Sequence, residues 1–229
     1  TVEKANFKGI VSLCPIAASE STHVHLVVVT GTGVRLYYTT FALNGTVNQR
    51  PSQLTLLHVR LPPGFAANAT TYKPTKVHKA LYSSGTGILC ANENNEADRI
   101  WSMSSDQYPY HPSLAESHAV RCVDGYVWAL ADVTPPLWCS ALNPPTQQGT
   151  RPPLLVTQHQ QSPRKLVLLS ANGADIVTFL RPVDQLQHLL QECGGAEGAA
   201  VKDFFAAMTP TQAAATALIL ACDPQQTPP

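Results

Sequence analysis

Apolar and polar positions along the chain follow two successive rhythms. Residues 26–29 are four consecutive apolar side chains, Leu-Val-Val-Val; Thr-Gly-Thr-Gly interrupts them, and Val34, Leu36 and Tyr38 then alternate with Arg35, Tyr37 and Thr39. Alternation of that kind has the period of a strand. A glycine closing so short a loop supplies a positive φ at almost no steric cost. Segment 166–176 repeats the arrangement without a gap: Leu-Val-Leu-Leu, Ser170, Ala-Asn, Gly173, and a renewed strand. Because neither apolar run alternates, both predict strands covered on their two faces.

Two more hairpins are expected. Residues 87–105 fold back at the polar tip 92–98, and residues 120–133 fold back at Asp124-Gly125, a strong short-range hairpin signal. Further strands fit 10–16, 54–61, 77–83 and 154–159. An inner strand dry on both sides is what neighbouring four-stranded sheets produce when they stack around an axis. The expected fold class is therefore mainly β then α, with a partial β-propeller of about three blades of antiparallel strands over residues 1–181. Insertions at 41–53 and 135–153, the latter with six prolines in 19 residues, read as solvated loops.

After Leu180 the period lengthens. Val183, Leu186, Leu189 and Leu190 form a helical stripe, opened by Pro182 and stopped by Gly194-Gly195. Val201, Phe204, Phe205 and Met208 mark a second helix, and Thr209-Pro210-Thr211-Gln212 reads as a capping box before an Ala-rich third. Residues 182–229 are thus expected to be a separate helical domain. Charge shifts at the same place: 14 Lys/Arg and 10 Asp/Glu precede residue 183, and 1 and 5 follow it.

Over the whole chain of 229 residues, 15 basic side chains balance 15 acidic ones, and only 13% of residues are charged. No global field draws such a protein to nucleic acid or anionic lipid, which leaves proteins as the expected partners. The opening Thr-Val-Glu runs straight into a strand and reads as a fragment, with no secretory signal in view. The longest apolar segment, 213–222, is about half the roughly 20 residues a bilayer span needs; no transmembrane segment is expected.

Candidate chemistry adds little. The Gly31-Thr-Gly33 loop has Leu36 where a dinucleotide fingerprint needs its third glycine, and no Lys-Ser or Lys-Thr follows as in a P-loop. His23 and His25 share a strand face but lack a third ligand nearby, so a partly exposed pair is expected rather than a metal site. Neither Gly-x-Ser-x-Gly nor His-Glu-x-x-His occurs. The sequence therefore assigns no catalytic, cofactor-binding or metal-ligating residue, no cofactor and no small-molecule substrate; an enzyme assembled in space on a propeller stays a third reading. Tyr108, Tyr110, Trp128 and Trp138 have the shape of base-stacking or peptide anchors, yet 102–114 offers no Lys or Arg. Trp101 and Trp128 are expected in the core, and 108–112 as a packed or partner-contacting loop. The helix at 183–193 carries Gln185, Gln187, His188 and Gln191 on its polar face rather than lysines, which fits packing on the strand domain better than a membrane surface.

Cys14, Cys90, Cys122, Cys139, Cys193 and Cys222 are scattered singly among apolar neighbours, the pattern of reduced thiols in an intracellular protein. Sequons at Asn44 and Asn68 keep open the alternative of a secreted β-rich binding domain with disulfides and N-glycans.

The segments "HLVVVTGTGVRLYYTT", "LTLLHVRLPPGF", "KVHKALYSSGTGILCANENNEADRIW", "VDGYVWAL" and above all "LVLLSANGADIVTFLRPVDQLQHLL" resemble the large inner-ring scaffold nucleoporins, the nucleoporin 155 family. The likeness extends over nearly all of 7–222, including "FFAAMTPTQAAATALILAC". It implies late blades of an N-terminal propeller followed by the first helices of an α-solenoid. It also implies a non-catalytic constituent of the nuclear pore complex at the nuclear envelope, supporting protein import and RNA export. Its implied partners are linker and inner-ring nucleoporins, and pore-membrane proteins through the full-length protein, with no direct nucleic acid contact. The Pro-rich 135–153 and the ending Asp-Pro-Gln-Gln-Thr-Pro-Pro depart from the family pattern, and no binding motif matches position by position. The two compartments separate in a thiol titration of denatured, unreduced protein. Six free thiols are expected for the nuclear pore reading, and none would establish the secreted one.

Overall fold

The computed structural model describes residues 8–17, 20–40, 53–65, 73–92, 97–105, 116–133, 158–160 and 162–222. Among them lie eleven strands in three sheets, followed by three helices. The first sheet runs in sequence order: β1 (Ile10–Pro15), β2 (Leu26–Thr30), β3 (Arg35–Thr39) and β4 (Thr55–Arg60). The second does likewise with β5 (Val77–Ser83), β6 (Thr86–Asn92), β7 (Asp98–Ser105) and β8 (Glu116–Cys122). In the third, β10 (Arg164–Ser170) lies between β11 (Gly173–Phe179) and β9 (Val127–Asp132). By packing the chain divides into two units, Thr1–Ala131 with Val167–Asp175, and Asp132–Leu166 with Ile176–Pro229.

The expected partial propeller is not what forms. The described strands make three separate open sheets, neither closed nor curled into a propeller. The apolar runs reported local coverage of a strand, whereas ring closure requires every sheet to be stacked between two others, a demand no local run encodes. Coverage itself differs between the two copies of the repeat. In β2, Val27, Val28 and Val29 are all buried, as their sequence predicts. Of the apolar run in β10 only Leu166 and Leu168 are sealed; Leu169 is 44% exposed. Its run is apolar on both faces, but one face meets solvent.

In the first unit, the first two sheets share one core. Antiparallel register places Val27 opposite Tyr37 and Val29 opposite Arg35. Val27, Val29 and Tyr37 then meet Tyr82, Leu89, Trp101 and Met103 of the second sheet. The Tyr37 and Tyr82 rings stand edge to face at 5.9 Å, a geometry that matches positive ring edge to negative face. Each fully buried side chain of this size contributes about 1.5–3 kcal/mol by leaving water. Trp101 joins this core as expected. Trp128 does not: on β9 it is 55% exposed.

Asp124-Gly125 also behaves differently from its sequence signal. Gly125 adopts the positive φ the signal calls for, +90°, but no hairpin results, since β8 pairs with β7 while β9 joins the third sheet. The turn instead meets the tip of the β10–β11 hairpin, where Asn172 Nδ2 donates to Asp124 Oδ1 at 2.9 Å and Ala171 N to Tyr126 O at 3.1 Å. Of the strand expected at 154–159, only residues 158 and 159 lie within the described residues, and they belong to a single 3₁₀ turn, Gln158–Gln160. The insertion 41–53 is almost wholly, and 135–153 and 108–112 are entirely, outside the described residues, as are Asn44, Asn68, Tyr108, Tyr110, Trp138 and Cys139.

In the second unit the expected helices form: α1 (Pro182–Cys193), α2 (Ala199–Ala206) and α3 (Pro210–Ala221). Val183 and Leu186 of α1, Val201 of α2 and Thr216 of α3 are their buried residues. The capping box of α3 is reciprocal: Thr209 Oγ1 accepts from Gln212 N at 3.3 Å, and Gln212 Oε1 accepts from Thr209 N at 3.1 Å. Gly194, with φ +67°, ends α1 in the left-handed conformation.

The repeated turns differ in one testable respect. Gly33, at φ +80°, sits where an added Cβ would stand 3.1 Å from Pro62 Cβ and 3.3 Å from Leu89 Cδ1, whereas Gly173, at φ +144°, faces open space. Gly33→Ala is expected to destabilise by about 2–3 kcal/mol, from backbone strain of about 1–2 kcal/mol plus crowding. Gly173→Ala should carry the strain alone. Urea denaturation of both variants checks the order, and equal losses would remove the packing role of Gly33.

Candidate functional site

Three buried polar junctions concentrate the described polar chemistry. The first is Arg35, 1% exposed, on the core face of β3. Its guanidinium forks onto Glu116 at the start of β8, with Nη1–Oε1 2.5 Å and Nη2–Oε2 2.7 Å, and Nη2 also donates to Leu61 O at 3.2 Å. Burial alone would lower the Arg35 pKa. The Glu116 hydrogen bond, helped by the charges of Tyr37, Glu116 and Tyr82, outweighs it and holds the group above its ordinary value. The same cation reaches His58, whose pKa is pulled down by burial first and then by Arg60 and Arg35.

Asp98, fully buried, is the second junction. Oδ1 accepts from Asn92 Nδ2 at 2.9 Å; Oδ2 accepts from His78 Nε2 at 2.9 Å and from Val127 N at 2.6 Å. Its main chain holds the same turn from both sides, with Asp98 N donating to Gly125 O and Val123 N to Asp98 O. His78 is in turn stacked on Tyr126, ring centroids 4.2 Å apart. One carboxylate thereby ties the ends of β5, β6 and β7 to the first residue of β9. Nearby Cys90 has its thiol pushed up to about 12, by burial first and then by the Asp98 charge. At neutral pH it is protonated and inert as a nucleophile.

The third junction belongs to the second unit. Buried Gln158 uses its whole amide: Oε1 accepts from Val183 N at 2.8 Å, in the first turn of α1, and Nε2 donates to the buried Thr216 hydroxyl of α3 at 3.3 Å. Its carbonyl accepts from Arg181 Nη1 at 3.0 Å. Arg181 also grips Asp184, Nε–Oδ2 2.8 Å and Nη2–Oδ1 2.6 Å, while its own N–H donates to Oδ2. The Arg181 side-chain hydrogen bonds, aided by its backbone N–H and charge against an opposing burial effect, hold Asp184 below the usual carboxylate value.

These arrangements orient chain segments, although Arg35 Nε and His78 Nδ1 stay buried without a hydrogen bond; none presents an activated nucleophile to a base. His25 Nδ1 accepts from Thr40 N at 3.0 Å, and exposed His23 bonds Thr22 at 2.9 Å. Among the described residues no group of three His, Cys, Asp or Glu is placed to hold a metal ion. The five described cysteines are free thiols, with Cys14 and Cys90 buried and Cys122, Cys193 and Cys222 exposed. Among the described residues no helix is long and apolar enough to cross a membrane. Sequence reasoning missed Arg35, Asp98 and Gln158. Arg35 gave no local signal: it shares a strand face with Tyr37 and Thr39, alternating with Leu36 and Tyr38, and it is the Arg35 face that is buried.

The chain belongs to the nucleoporin family described as Nup133 N terminal like, which matches residues 3–176. It is 35% identical over 251 aligned residues to the nuclear pore complex protein Nup154 of Drosophila melanogaster, covering 96% of this chain and 17% of that protein. Its fold is similar to that of the Chaetomium thermophilum Nup170 NTD, solved as a complex with Nup53. The TM-score is 0.70 at 20% identity, over 94% of this chain and 34% of the other. At that identity the likeness is one of fold alone. The chain spans less than a fifth of the length of the curated relative it matches.

Two outcomes test the junctions. Glu116→Ala leaves a buried, unpaired guanidinium and is expected to cost about 3–5 kcal/mol, while Arg35→Met combined with Glu116→Leu should recover most of it. Urea titration of the single and double variants measures the difference, and a loss below about 1 kcal/mol for the single would remove the junction's structural role. Asp184 titrates lower in the folded state than its ordinary 3.8, so its contribution is complete above that pH and disappears as pH falls through the lower folded value. Asp184→Asn should therefore flatten the acid limb of helix stability below about pH 4 in circular dichroism, leaving the neutral limb parallel to wild type.

Proposed function

We propose that this chain is part of an inner-ring scaffold nucleoporin, a non-catalytic structural constituent of the nuclear pore complex that supports protein import and RNA export through protein–protein contacts. The observation that carries this reading is the family match over residues 3–176, together with 35% identity to Nup154 across 96% of the chain. The polar junctions support it as well: charged groups are used inward, to fix one arrangement of strands, rather than at an open catalytic cleft. The residues 1–181 and 182–229 are read as its strand-rich and helical domains, in line with the change of period and charge at residue 182.

Other nucleoporins are the partners this reading assigns. The structurally similar Nup170 NTD was solved with Nup53; linker and inner-ring nucleoporins are the partners we assign to the whole protein, with pore-membrane proteins as a further contact. The proposed location is the nuclear envelope. Tagging the full-length protein at its own locus tests this: a punctate nuclear rim, and cross-links from peptides of 8–222 to other nucleoporins, are expected. A secretory or diffuse cytosolic distribution would overturn it.

A further inference from the structure

We draw no further inference here: the strongest candidate, the outer edge of strand β11 in the third sheet, which ends the strand order with Ile176 65% exposed beside Asp175, has the form of a strand-addition site, but nothing in the structure shows what covers it.

Discussion

A carboxylate without access to water must find every hydrogen bond inside the protein, and Asp98 is fully buried. Its oxygens accept from Asn92, His78 and the Val127 N–H, and its backbone takes both ends of the Val123-to-Gly125 turn. The strand-rich unit depends on this constraint. Removing any one donor leaves part of a charge unsatisfied in a low-dielectric interior, so the path of the chain out of β8 and into β9 is fixed where a local turn signal would have sent it back along β8.

The Arg35–Glu116 fork applies the same logic between the first two sheets. A core of valines, tyrosines and Trp101 supplies most of the driving force, but apolar burial is indifferent to sliding. The planar guanidinium accepts only a narrow range of carboxylate positions, so it selects one alignment of β3 against β8. In the second unit Gln158 takes a comparable part without charge, closing the N-terminal turn of α1 and the middle of α3 with one amide.

This use of polar groups is a feature of the described part of this nucleoporin family member. The specific polar interactions are spent on internal alignment, and apolar side chains such as Trp128, Leu169, Ile176 and Leu218 remain on the surface.

The hydrophobic pattern alone determined the strand hairpins at 26–39 and 166–179, the two strands at 86–105, the three helices and the Thr209 capping box, because each depends on periodicity or on contacts within a few residues. The resemblance of "LVLLSANGADIVTFLRPVDQLQHLL" to inner-ring nucleoporins rested on the residues themselves, not on their periodicity. Tertiary structure decided the rest. That the sheets stay open, that Trp128 and Leu169 face solvent, that Asp124-Gly125 joins two sheets, and that Arg35, Asp98 and Gln158 are buried all depend on partners far along the chain. A residue's own neighbours in sequence specify its backbone geometry. Only the segments that fold against it determine whether its side chain is sealed, and sealing is what turns an ordinary arginine, aspartate or glutamine into a fixed point of the structure.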